Sequence, residues 1–96
     1  MIIPEAQDTV LARLLGVLGR VDDAVGFAEA ADALHRRLDL DARTAVSSTE
    51  LGELLLRRDG PGDRTRGEEL LRESADLAER LGMAPTATHA RAALAG

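Results

Sequence analysis

Apolar residues recur at helical spacing along most of this chain. The clearest stretch runs from Thr49 to Met83. Leu51, Leu54 and Leu55 fall on one helix face, and Leu70, Leu71, Ser74, Leu77, Ala78 and Leu81 fall on another. Between them lies Asp59-Gly60-Pro61-Gly62-Asp63, which no helix can cross. Two apolar stripes joined by a short breaker predict an antiparallel helical hairpin.

The same reading extends to both ends. Pro4 can open a helix over 4–18, with Val10, Leu11, Leu14, Leu15 and Leu18 as its stripe and Gly19 as its stop. A helix over 21–38 has Asp22 and Asp23 in its first turn, where carboxylates suit the helix dipole. Its predicted inner face is Val21, Ala24, Ala28, Ala31, Leu34 and Leu38. Asp41 is the expected N-cap of a helix over 42–58, and Asp63 that of a helix over 63–81. Gly60 and Gly82 follow these two helices. Pro85 opens a short helix over 85–95 with Ala87, Ala90 and Leu94 inward. No stretch alternates with period two, so the fold class is all-α, about five helices in one domain over 1–96.

An internal repeat emerges on sliding the chain by 43 residues. Ala24 meets Gly67, Ala28 meets Leu71, Ala31 meets Ser74, Leu34 meets Leu77, Leu38 meets Leu81 and Leu51 meets Leu94. The register implies a hairpin over 4–38, a hairpin over 42–82 and a terminal half-hairpin over 85–95.

Composition changes this picture mainly by exclusion. Phe27 is the only aromatic residue, so the core must be leucine and alanine. The net charge is −5 and every basic residue is arginine, which argues against a nucleic-acid surface. A helix-turn-helix would use 63–81 for recognition, but Glu68, Glu69, Glu73, Asp76 and Glu79 there would repel phosphates. The absence of cysteine excludes disulfides and thiolate chemistry. Glu5 and Asp8 stand where a leader would be basic, and Arg13 interrupts the apolar run. The expectation is therefore a cytoplasmic protein with no signal peptide and no membrane span.

No pattern carries catalysis, and no cofactor or metal is expected. His35 and His89 lack metal-ligand spacing, and His35, between Leu34 and Arg36-Arg37, reads as a solvated or boundary residue. Glu50 and Glu53 read as a solvated face. Ser47-Ser48-Thr49 lacks a nearby base and reads as small residues that let helices approach. Gly60-Pro61-Gly62 lacks the Gly-Lys-Ser/Thr of a phosphate loop and reads as a turn. The expectation is not an enzyme.

Ser48-x2-Leu51-Gly52-x2-Leu55 followed by Gly67-x3-Leu71, and Asp8-x2-Leu11-Ala12-x2-Leu15 followed by Ala24-x3-Ala28, resemble the tetratricopeptide repeat. Both tryptophan positions and the closing proline are lost, and the units start 40 residues apart instead of 34. The run from Leu54 to Arg64, with Glu69 to Met83, resembles the C-terminal repeat arrays of large ATP-dependent transcriptional regulators and cyclase-linked ATPases of high-GC bacteria. The resemblance implies a protein-interaction module whose concave face binds a protein or peptide. Carried over, that face holds Arg13, Gly16 and Val17, then Val46, Thr49, Glu53, Leu56 and Arg57, with Leu56 as the leading candidate. The 43-residue shift adds His89 beside Val46. The rival reading is a structural or oligomerisation fragment with no separate ligand.

Two further expectations follow. Alanine suits the Gly67 position in the family, so Gly67→Ala should stabilise by up to roughly 1 kcal/mol. Two and a half units leave open ends, because one hairpin cannot bury its own apolar face. A homodimer that covers one or both open ends is therefore expected; one that closes over the 85–95 helix would bury His89 and loosen near pH 6.

Overall fold

The computed structural model describes residues 19–96. The predicted 4–18 helix, with Arg13, Gly16 and Val17, lies outside them. Among the described residues the protein is all-α, with four helices and no strand. They are α1 (Val21–Arg37), α2 (Asp41–Arg58), α3 (Asp63–Arg80) and α4 (Ala84–Ala95). Each packs on the next, and α2 also touches α4. Residue pairs run in opposite order along α1 and α2. Asp22 reaches Arg58 while Asp32 reaches Ser47 and Ser48.

Three clusters make the core. Ala24, Val25 and Ala28 of α1 pack on Leu51, Leu54 and Leu55 of α2. Leu71 and Ala75 of α3 pack on Ala90 of α4, with Leu56 of α2 against them. Ala45, Ala78 and Ala87 form the third. Leu51, Leu55 and Leu71 are the largest fully buried side chains, each contributing roughly 2 kcal/mol.

Positions 43 residues apart share their surroundings. Ala24 and Gly67, Ala28 and Leu71, and Ala31 and Ser74 are all buried. The helix ends repeat too. Leu40 N–H donates to His35 O and Asp39 N–H to Arg36 O; Met83 N–H donates to Ala78 O and Gly82 N–H to Glu79 O. Both pairs are the two backbone bonds of a Schellman ending, with a left-handed residue at the turn. That residue is Gly82 at φ +73 after α3, but Asp39 at φ +54 after α1. An aspartate tolerates this conformation as a single residue.

Several expectations are corrected. Asp41 and Asp63 are not N-caps: they are the first helical residues, behind Leu40 and Gly62, which make no side-chain cap bond. Asp63 instead pins the preceding turn. Its carboxyl accepts from Gly60 N–H at 3.0 Å and from Arg58 Nε and Nη2 at 2.7 and 2.9 Å. The helix stop there is Asp59 at φ +51, not Gly60. Leu38 and Leu81 are 53% and 43% exposed, because their helices have ended and the inner stripe runs off.

Gly67 lies at a close backbone approach. A Cβ there would sit 2.9 Å from Gly52 O and 3.1 Å from a Leu56 methyl. The α2–α3 contact is therefore made by two glycines, and the expected stabilisation by Gly67→Ala does not hold.

His35 is buried, neither solvated nor at the boundary, and neither ring nitrogen has a hydrogen-bond partner among the described residues. Beside it Asp32 is also buried. Its Oδ1 accepts from Ser47 Oγ at 2.8 Å and Ser48 Oγ at 2.7 Å, and its Oδ2 from Arg36 Nε at 2.7 Å. Arg36 Nη2 also donates to Ser48 Oγ at 2.8 Å and pairs with Glu73 of α3 at 2.6 Å. Ser47 and Ser48 are thus hydrogen-bonding partners as well as small residues.

Candidate groove between α2 and α4

Val46, Thr49, Glu50 and Glu53 follow one another at spacings of three, one and three, so they share one face of α2. The first turns of α4 run beside that face. Val46, Thr49 and Glu50 with Pro85, Thr86 and His89 line a groove of about 210 Å³. Thr49 is buried, and its hydroxyl donates to Ala45 O at 2.8 Å and lies 3.0 Å from Ser74 Oγ of α3. The groove wall is thereby tied to the helix behind it. Val46 and Pro85 supply apolar surface, and Glu50 and His89 supply polar rims.

His89 Nε2 lies 2.7 Å from Glu53 Oε1. A carboxylate only accepts, so Nε2 carries the proton in this pair. The bond ties α4 to α2 at the end of the groove. The His89 side chain is 59% exposed, which makes this a surface pair of small energetic weight.

The structure brings Val46, Thr49, Glu53 and His89 together. It does not bring Leu56, which packs into the Leu71–Ala75–Ala90 cluster and against Gly67. The leading candidate for ligand contact is thus a packing residue. Arg57 is exposed and does not line the groove. Glu50, Pro85 and Thr86 are groove residues that sequence reasoning missed. Glu50 carried a signal, since it lies four residues from Val46 on the same face. Pro85 was read only as a helix opener.

Two other depressions are less built. One of about 280 Å³ lies where α3 meets α4, beside Arg91. Arg91 is held there by Glu79 at 2.7 Å and Asp76 at 3.3 Å, and the guanidinium lowers the Glu79 pKa. The other, about 410 Å³, lies over Asp22, Asp23, Gly26, Phe27 and Ala30 on α1.

Among the described residues, no three His, Asp or Glu side chains converge as a metal site. None of the described helices is long and apolar enough to cross a membrane. A scan against family models, and searches of curated proteins and of solved structures, give no match to this chain.

Proposed function

We propose that this chain is a non-catalytic protein–protein interaction module, a short tetratricopeptide-like array of antiparallel hairpins. It binds a peptide or protein on the side where α2 and α4 lie together. The observation that carries the reading is the α2–α4 groove, whose wall residue Thr49 is bonded through to α3. Such a preformed groove loses little conformational entropy when a peptide fills it. The module acts in the cytoplasm, as part of or beside a larger bacterial regulator; this part of the proposal rests on the resemblance alone.

Selection of a displayed random-peptide library on the folded domain tests it. Enriched peptides should shift the backbone amide resonances of Val46, Thr49 and His89, and Val46→Glu should abolish their binding. Peptides that shift only α1 and α3, or no enrichment at all, would contradict it.

One observation favours a second reading, self-association without a separate ligand. Ala45, Thr49 and Gly52 are buried on α2, whereas Thr88, Ala92 and Ala95, their equivalents on α4, are exposed. A homodimer covering α4 would bury them. Light scattering at micromolar concentration separates the two: a concentration-independent 10.2 kDa particle excludes the dimer.

A further inference from the structure

The two walls of the α2–α4 groove differ in charge. Val46 and Pro85 give apolar surface, and Glu50 stands on the α2 side. Glu53 closes one end, where its Oε1 accepts from His89 Nε2. The α4 wall is Pro85, Thr86 and His89, none of them acidic and none arginine. Arg91, the one arginine of α4, is held by Asp76 and Glu79 of α3 and lines the other depression.

This order of apolar surface and then carboxylate says what the groove fits. An ionised carboxylate offers about four lone-pair sites, and His89 takes one of those on Glu53. A neutral imidazole can make that bond, which leaves the negative charge of Glu53 in place. The Glu53 side chain is 33% exposed, so its carboxylate is reachable from solvent. A long cationic side chain matches both parts, with its methylenes on Val46 and Pro85 and its head at the carboxylate. A charged N–H donor also bonds a carboxylate roughly twice as strongly as a neutral one. We infer that the groove takes one cationic side chain, arginine or lysine, of a peptide partner, with Glu53 as its acceptor. This rests on the function proposed above.

Two charges outside the groove narrow the choice. Arg43 and Arg57 share this face of α2, one on either side of Glu50 and Glu53, and neither lines the groove. They repel a run of basic residues, so the fit is to a single cation between neutral or acidic neighbours. The same carboxylates disfavour a second copy of the chain as occupant. A two-fold pairing centred on this face would set Glu50 of one copy against Glu53 of the other.

Peptides selected on the folded domain supply the probes. Those that shift the Val46, Thr49 and His89 amides should carry one arginine or lysine at a fixed position. Exchanging that residue for its uncharged counterpart, arginine for citrulline or lysine for norleucine, should weaken binding to the parent domain roughly tenfold or more. The Glu53→Gln domain should bind the charged and uncharged peptides alike. Groove-binding peptides without a basic residue would overturn the inference and leave the groove as the binding site. An equal loss on the parent and Glu53→Gln domains would do the same. If Glu53→Gln fails to fold, the exchange on the parent domain decides alone, and an unchanged affinity overturns the inference. Peptides that bind elsewhere, or none enriched, would overturn the inference together with the function. A dimer by light scattering whose dilution shifts the same amides would put a second copy in the groove and also overturn it.

Discussion

The α1–α2 and α3–α4 contacts are built on the same backbone positions, 43 residues apart, with opposite chemistry. Asp32 and Ser47 meet in the first; Ala75 and Ala90 occupy the equivalent places in the second. His35 and Ala78 are likewise equivalent, and both are buried. Backbone position and burial are common to both contacts, and side-chain size and polarity are not. The shared backbone positions therefore accept either chemistry, and hydrogen bonding adds specificity on top. A satisfied polar cluster fixes one partner and one register, whereas an alanine contact tolerates sliding.

The largest expected effect strikes the polar version. Asp32→Ala removes the acceptor of Ser47, Ser48 and Arg36 at once. It should cost roughly 2–4 kcal/mol, toward the lower end because the Arg36 side chain is 40% exposed and keeps Glu73. Urea unfolding measures this, and a loss comparable to that of a surface substitution would mean the cluster is ornamental.

Next in size is Gly67→Ala, at the contact that uses backbone instead of side chains. Overpacking costs about 1–3 kcal/mol and helix propensity returns up to roughly 1 kcal/mol, so a net loss of about 1 kcal/mol is expected. An increased melting temperature would show that the Gly52 carbonyl and Leu56 yield easily.

Acid should weaken the turn between α2 and α3. The Arg58 guanidinium, helped by Gly60 N–H, lowers the Asp63 carboxyl to about 2. A carboxyl lowered on folding stabilises fully above its ordinary value near 4 and loses that contribution as pH falls toward about 2. Asp63→Asn should therefore lower the melting temperature at pH 7 by a few degrees and flatten its dependence between those two values. Parallel curves for variant and parent would contradict the assignment.

The smallest effect belongs to the groove. His89→Ala removes an exposed pair with Glu53 and should change stability by less than about 0.5 kcal/mol. A larger loss would mean that the pair holds α4 in place.

The four described helices were legible because glycine, proline and aspartate interrupt the stripes between them. The 43-residue register was legible too, since Ala24, Ala28 and Ala31 match Gly67, Leu71 and Ser74. Asp32 and His35 were not, because apolar periodicity assigns polar residues outward. The signal that could have found them was the same register, which sets Asp32 on Ala75 and His35 on Ala78. Gly67 was misjudged because helix propensity is local while the clash with Gly52 O comes from another helix. Leu56 looked available because it follows the Leu54–Leu55 pair, yet α3 approaches α2 closely enough at Gly67 to take it. Of the groove, the α2 half was visible as one helix face. The α4 half depended on how two helices separated by α3 come side by side.

One backbone contact is used twice with two chemistries, and unfolding of the Asp32→Ala/Ser47→Ala/Ser48→Ala variant probes this without the polar groups. Replacing the buried members of a hydrogen-bond cluster with apolar groups is close to neutral where the helices already fit, and the one member left, Arg36, is part-exposed and keeps Glu73. The triple variant should thus recover most of the Asp32→Ala loss and come within about 1 kcal/mol of the parent protein. A loss equal to the sum of the separate substitutions would contradict the claim, because the alanine form of the contact would then not suit α1 and α2.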